Sequence, residues 1–187
     1  MAKSTLKNLK QLYVHELRDI YSAEKQITQA LPKLAKAAQN QELKEGFEAH
    51  LEETKGQIQR LDQIFKRLGK SSTGEKCKGM QGLLEEGSDF IEEQEESAVA
   101  DAGMIVAAQK VEHYEIAAYG SISRYAELLG FEEDLGLLQQ TLDEEKETDE
   151  KLTELSDQIN GEAQAGHDSE SEEEAMETGS SAKSKRK

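Results

Sequence analysis

The chain has 187 residues, a length that suits one domain with a tail. Its 39 acidic residues outnumber its 23 Lys and Arg residues, so the formal net charge is −16. This charge argues against nucleic acid and anionic membranes as partners, since both bind basic protein surfaces. No apolar run approaches the roughly 20 residues of a membrane span, and the start of the chain lacks the apolar segment of a signal peptide. We therefore expect a cytoplasmic protein.

Cys77 is the single cysteine of the chain, which excludes an internal disulfide bond. It stands in GKSSTGEKCKGM, a stretch rich in Gly, Ser and Lys that is typical of a loop. We expect Cys77 to be an exposed and inert thiol, with a redox or intermolecular role as the alternative.

Apolar residues recur at three- and four-residue steps along most of the chain, which predicts helices. The predicted helices cover about 5–39, 41–68, 80–96, 99–129 and 132–159. Ser4 is the expected N-cap of the first helix, and Pro32 is expected to kink it. Gly69 and Gly130 follow helical stretches, at the place where glycine commonly ends a helix.

The spacing of these helices predicts how they pack. Tight turns near Asn40 and Gly130 predict two antiparallel hairpins, and a connection of about 30 residues between the hairpins is long enough to cross the bundle. We therefore predict an all-α, ferritin-like, up-down four-helix bundle in residues 1–160, with a short fifth helix in the crossover. Residues 161–187 are rich in like charges and poor in large apolar residues, so we expect a disordered acidic tail that ends in a basic cluster.

Several acidic residues lie on the apolar faces of the predicted helices. At 100° per residue, Glu24 lies between Ile20 and Ile27, and the other acids take similar positions on the third and fourth long helices. These other acids are Glu112, Glu115, Glu145 and Asp149. Burial of an unpaired carboxylate is very costly, so such groups must be paired, protonated or bound to a cation.

Counting from the turns predicts that these acids lie at one level of the bundle. Glu24 is 16 residues before Asn40, and Glu115 and Glu145 each lie 15 residues from Gly130. Nearby lysines mostly point away from the apolar stripe, so bound metal explains the cluster best. Oxygen-rich ligands with few imidazoles suit Fe or Mn and, less specifically, Mg or Ca. The alternative is a structural network in which protonated carboxyls share hydrogen bonds with Tyr, Thr and Gln.

The second helix adds two further candidate ligands. His50 and Glu53 stand one turn apart, with His50 nearer the apolar face. The alternative for His50 is a core-edge histidine bonded to a carbonyl or carboxylate. We interpret Tyr119, one turn from Glu115, as a packing and hydrogen-bonding residue, with a redox relay as the alternative.

Five stretches of the chain resemble the YciE/YciF family of ferritin-like stress proteins. They are LYVHELRDIYSAEKQITQALPKL (12–34), HLEETKGQIQRL (50–61), CKGMQGLL (77–84), QKVEHYEIAAY (109–119) and LDEEKETDEKL (142–152). The resemblance covers about residues 5–160 and implies a rubrerythrin-like, often dimeric bundle linked to stress responses. It also implies a two-metal site of the ferroxidase type. The implied ligands are Glu24, Glu53, Glu112, Glu115, Glu145 and Asp149, with His50 nearby.

The chain departs from the general di-iron pattern, which has Glu-x-x-His on two helices. Here the second helix reads His50-x-x-Glu53, and the fourth offers Glu145-x-x-x-Asp149 without a histidine. The first functional hypothesis is a di-iron carboxylate protein with two irons per chain, or manganese in their place, that oxidises Fe(II) or consumes an oxidant. The alternative is a non-enzymatic stress-response dimerisation module with structural metal or none. Iron storage in a hollow shell is a third, weaker idea, and we expect a homodimer.

Overall fold

The computed structural model describes residues 5–93 and 97–183, with side chains described for residues 5–92 and 97–165. This part of the chain is all-α and contains no strand. Its helices are α1 (Leu9–Ala37), α2 (Gln41–Leu68), α3 (Lys78–Glu93), α4 (Ala98–Leu128) and α5 (Glu132–Lys183). No helix in the described ranges is long and apolar enough to cross a membrane.

Side-chain caps set the starts of the first two helices. The Asn8 side chain accepts a hydrogen bond from the Gln11 backbone N–H and caps α1. The predicted cap, Ser4, lies outside the described residues. Asn40 caps α2 by accepting from two backbone N–H groups of the first turn. α1 continues through Pro32.

Two glycines end α2 and α4, as the sequence predicts. Gly69 has φ of 60° and Gly130 has φ of 70°, so both adopt the left-handed conformation that costs glycine least. In each case the following residue closes the helix, as in the hydrogen bond from Phe131 N–H to Ala126 C=O. At both helix ends, backbone carbonyls that would otherwise lack a hydrogen-bond donor therefore accept a hydrogen bond.

The four long helices form the predicted bundle. α1 packs against α2 and α4, and α5 packs against α4 and α2. The turn between α1 and α2 is tied to the start of α4, because the Asp101 carboxylate accepts from Gln39 N–H at 2.9 Å and Asn40 N–H at 2.6 Å. α2 and α4 therefore begin at the same end of the bundle and run parallel. The connection between them crosses the bundle and carries α3, which packs on α4 and α1.

A second polar contact closes the opposite end of the bundle. The Asp134 carboxylate, near the start of α5, accepts from the Tyr13 hydroxyl at 3.0 Å and from Arg67 Nη2 at 2.6 Å. Between the two ends, apolar side chains fill the interior. The largest aliphatic ones with almost no exposure are Leu17, Ile20, Ile27, Leu43, Leu61, Ile64, Ile105 and Ile122.

The end of the last helix differs from the prediction. Helical periodicity ends near residue 159, whereas α5 continues to Lys183. The periodic apolar residues mark only the part of α5 that packs on the bundle, and the polar residues beyond them carry no such signal. The predicted disorder of residues 161–187 stays a prediction, and residues 184–187 lie outside the described part of the chain.

The prediction of an exposed Cys77 is wrong, because Cys77 is 1 % exposed. Its backbone N–H donates to Ser22 Oγ at 2.9 Å, which fixes the crossover loop against α1. Its Sγ lies 3.0 Å from both Asp19 Oδ2 and the Tyr114 hydroxyl. Burial is the main reason that the pKa of the Cys77 thiol is raised, so the thiol stays protonated at neutral pH. A composition-based loop prediction does not show which side of a loop faces the core.

Candidate metal centre

Four predicted ligands from three helices meet in the middle of the bundle. They are His50 on α2, Glu112 and Glu115 on α4, and Glu145 on α5. Each offers one nitrogen or oxygen atom, and these atoms all lie within 4.8 Å of one another. All four residues are buried. The helical phase places them there, because each occupies a core-facing position of its helix.

Glu24 of α1 joins this group from the fourth side of the bundle. It has no exposed surface, and the hydroxyl of buried Tyr119 donates a hydrogen bond to its Oε1. Tyr119 therefore contacts the predicted ligand Glu24 directly, although its own neighbour along the helix is Glu115.

The buried ligand atoms are incompletely satisfied. His50 Nε2 lies 3.4 Å from Glu112 Oε1 and 4.0 Å from Glu145 Oε2, without hydrogen-bond geometry. Among the described side chains, six predicted ligands leave one buried atom each without a hydrogen-bond partner. These atoms are Glu24 Oε2, His50 Nε2, Glu112 Oε2, Glu115 Oε1, Glu145 Oε2 and Asp149 Oδ1. Buried polar atoms in native proteins are rarely left without a partner, so this group calls for a ligand.

Burial and mutual repulsion raise the pKa values of four of these carboxyls. Desolvation is the largest cause for each, and the charge of Glu145 adds to the pKa increase of Glu24 and Glu112. The charge of Glu24 likewise adds to the pKa increase of Glu115. The pKa of Glu145 is also raised by burial, although the neighbouring His50 opposes the increase. Without a cation, the cluster therefore holds protons that carboxyls in water release.

The other two predicted ligands lie at the edge of the cluster. The side chain of Glu53 is 40 % exposed and its Oε2 lies 3.5 Å from His50 Nδ1. This contact with His50 is the main reason that the pKa of Glu53 is lowered. Asp149 places Oδ2 3.1 Å from Nε2 of the exposed His113 and keeps its buried Oδ1 unpartnered. Neither residue belongs to the group of four.

Two polar residues of α2, Gln57 and Arg60, contact acidic residues of α5. Gln57 donates a hydrogen bond to Glu145 Oε1 and fixes this carboxylate. Arg60 forms an ion pair with Glu144 and donates to Thr141 Oγ1 at 2.9 Å. Gln57 and Arg60 are one turn apart on α2, so their spacing in the sequence indicates that both side chains lie on the same face of this helix. The identity of their partners on α5 depends on how the two helices pack.

The donor set could hold a metal ion. It comprises carboxylate oxygens from three helices and one imidazole, and it lacks the thiols and multiple histidines of typical zinc and copper sites. A bound cation would satisfy these unpartnered atoms and offset the repulsion among the carboxylates. Cation binding must also displace the retained protons, so affinity is expected to increase with pH.

The fold and this cluster define the chain as a helical bundle with a carboxylate-rich centre. It belongs to the family described as a domain of unknown function, DUF892, whose sequence pattern matches residues 8–165. The chain is 50 % identical over 152 residues to Protein YciF of Escherichia coli strain K12, with coverage of 81 % of this chain and 92 % of that protein. The resemblance to YciF-type proteins that the motifs indicate is thus confirmed.

Two solved structures share the fold. The crystal structure of the E. coli stress protein YciF matches with a TM-score of 0.81 at 48 % identity, covering 83 % of this chain and 99 % of that one. YcfI from Rhodopseudomonas palustris, whose description proposes a structural role, matches with a TM-score of 0.77 at 43 % identity. That match covers 82 % of this chain and 98 % of YcfI.

Proposed function

We propose that the central cluster binds two ferrous ions per chain and oxidises them with O₂ or peroxide, as part of a stress response. One observation carries the proposal: His50, Glu112, Glu115 and Glu145 bring ligand atoms within 4.8 Å of one another in a buried site. Ionised carboxylates repel one another at such short range, so cations or protons must hold them together, and cations also use the imidazole of His50 as a ligand.

Some residues of the cluster would bind the ions, and others orient the residues that bind them. The group of four would supply ligands for one ion, and Glu24 would extend the donor set toward α1 for a second ion. The hydrogen bond from Gln57 fixes the orientation of Glu145, and the hydrogen bond from Tyr119 does the same for Glu24. Residues that orient metal ligands in this way commonly change metal affinity by about 10–100-fold when they are replaced.

The reaction consumes iron as a substrate. Two ferrous ions lose one electron each, and one hydrogen peroxide accepts both electrons with two protons to give two waters. Carboxylates favour the ferric product, since their negative charge and hard oxygen donors suit the higher oxidation state. Manganese fits the same donors. A cytoplasmic location and a homodimer stay predictions of the sequence.

The alternative is a non-enzymatic interaction module in which the cluster stays protonated. The proposed structural role of YcfI and the hydrogen bond from Tyr119 to Glu24 favour this alternative. In that case the carboxyls specify packing of the four helices, and metal contributes nothing to function.

The test is an anaerobic Fe(II) titration of the metal-free protein followed by addition of hydrogen peroxide or O₂, with ferric absorbance as the readout. The variant is Glu115→Gln/Glu145→Gln. Its matched control is Glu147→Gln/Glu150→Gln, which removes the same charge from exposed positions of α5.

We expect saturable oxidation of about two irons per chain, with at least a roughly tenfold slower rate in the cluster variant and no change in the control. If the wild-type protein oxidises iron no faster than buffer does, the ferroxidase proposal is wrong and the interaction module becomes the better explanation.

A further inference from the structure

A large cavity lies in the half of the bundle that contains the turn between α1 and α2. Its volume is about 760 Å³, and side chains from all five helices line it. Small-molecule sites commonly measure about 300–1,000 Å³, so the cavity can hold an organic molecule of moderate size. O₂ and hydrogen peroxide require no space of this size.

Apolar side chains form the inner wall of the cavity. They include Ile27 and Leu31 of α1, Phe47 of α2, Val111 of α4 and Leu152 of α5. These residues offer no hydrogen-bonding side-chain atom, so a ligand in contact with them gains free energy mainly by removing its own apolar surface from water.

The cavity reaches the metal centre. His50 and Glu112 belong both to its lining and to the group of four ligands. His50 Nε2 and Glu112 Oε2 are buried and have no hydrogen-bond partner within the described part of the chain. A molecule with an apolar body and one polar oxygen group can therefore place that group beside the cluster while its body lies against the apolar wall.

The buried end of the cavity favours a neutral ligand over an anion. Its lining carries Lys33, Lys76 and Lys151 together with Glu42, Glu53, Glu85, Glu112 and Glu154. The acidic residues outnumber the basic ones, and Glu112 is buried. Burial at this end of the cavity strips water from an ionised carboxylate at a high cost, whereas a neutral oxygen group loses far less.

We infer that this cavity binds the apolar body of an alkyl hydroperoxide and presents its O–O group to the metal centre. The inference rests on the proposed function and names the oxidant class. The O–O bond breaks as two ferrous ions lose one electron each, and with two protons the hydroperoxide gives one alcohol and one water. The irons become ferric, so electrons and atoms balance without a further reactant.

The first test measures binding to the metal-free protein and needs no activity. The probe is 1-decanol, which shares the apolar body and neutral oxygen group of a decyl hydroperoxide, and binding is followed by isothermal titration calorimetry. The variants are Gly46→Leu and Ala108→Phe, because both positions line the cavity. A Cβ at Gly46 meets no atom within 4 Å, so the leucine has room to enter the cavity without displacing the backbone.

The matched control is Gly136→Leu. Gly136 is also an exposed helical glycine whose added Cβ meets nothing within 4 Å, but it does not line the cavity. We expect decanol to bind the wild-type and control proteins and to bind each cavity variant at least roughly tenfold more weakly. Circular dichroism checks that each variant keeps its helical content.

The second test compares oxidants on the iron-loaded protein. In Ala108→Phe we expect Fe(II) oxidation by decyl hydroperoxide to slow by roughly tenfold, while oxidation by hydrogen peroxide stays within about twofold of wild type. The inference is overturned if the wild-type protein does not bind decanol, or if both variants slow the two oxidants equally. If hydrogen peroxide oxidises the bound iron and decyl hydroperoxide does not, the inference fails while the proposed function stands. If neither oxidant acts faster than in buffer, both fail.

Discussion

At the scale of one residue, Glu115 shows how burial in the bundle changes the pKa of its central carboxyls. It is 1 % exposed and stands among Glu24, Glu112 and Glu145, so burial and neighbouring charge both raise its pKa. Between the ordinary pKa of a glutamate and this raised value, the folded chain holds a proton that the unfolded chain has released. The stability of the metal-free protein therefore falls as pH rises through this interval.

Glu115→Gln is expected to stabilise the metal-free protein at pH 8. Glutamine keeps the shape of a protonated glutamate and cannot ionise, so the free energy of unfolding should increase at this pH. Near pH 4 the gain should vanish, because the folded and unfolded chains then both carry the proton. Urea denaturation in the presence of a chelator at both pH values measures this difference.

Glu127→Gln is the control, since Glu127 is an exposed residue of the same helix. It should change stability by less than about 0.5 kcal/mol at either pH. A Glu115→Gln protein that is less stable than wild type at pH 8 would mean that the ionised carboxylate has a favourable partner in the metal-free state.

The position of these acids could be read from the sequence because helical phase and distance from a turn are local quantities. Glu24, Glu112, Glu115 and Glu145 all lie in the interior that their phase indicates. Glu53 has a phase away from the centre of its apolar face, and it is correspondingly half-exposed. The roles of Gln57 and Arg60 were missed, because each depends on a partner from α5 whose rotation about its axis the sequence does not define.

At the scale of the elements, Asp101 joins the α1–α2 turn to α4. Its carboxylate is 2 % exposed and accepts from two consecutive backbone N–H groups, at Gln39 and Asn40. These two N–H groups of the turn thus find their acceptor in a residue that lies 62 and 61 positions further along the chain. This contact holds α2 and α4 parallel at the end of the bundle next to the cavity.

Asp101→Ala should destabilise the protein by about 2 kcal/mol, because it leaves two backbone donors without their charged partner. The measurement is the midpoint of urea unfolding at pH 7. Asp143→Ala is the matched control, since Asp143 is exposed on α5 and contacts only exposed side chains of its own helix, Gln139 at 3.1 Å and Lys146 at 3.7 Å. Equal unfolding midpoints for Asp101→Ala and wild type would show that the turn does not depend on this carboxylate.

Helix boundaries followed from local chemistry where the chain carries a clear stop. Gly69 and Gly130 end their helices in the left-handed conformation, which glycine adopts more readily than other residues. The extent of α5 beyond residue 159 and the burial of Cys77 had no such local signal. Cys77 is buried because α1 supplies Ser22 and Asp19 as partners, and that contact forms only when the crossover packs on the bundle.

At the scale of the whole molecule, the net charge of −16 and the buried cluster have different consequences. Exposed acids are solvated, and their field raises the local concentration of cations around the protein. The buried acids have no water to replace a lost partner, so they determine where a cation is held. The cavity depends on how side chains from all five helices come together, a property that the pattern of apolar residues does not encode.

The most direct test of the metal centre is anomalous diffraction from crystals grown anaerobically with Fe(II), measured on both sides of the iron absorption edge. We predict two iron peaks per chain among Glu24, His50, Glu112, Glu115 and Glu145, and their loss in Glu115→Gln/Glu145→Gln. An ordered wild-type bundle with no iron peak at this cluster would contradict the account.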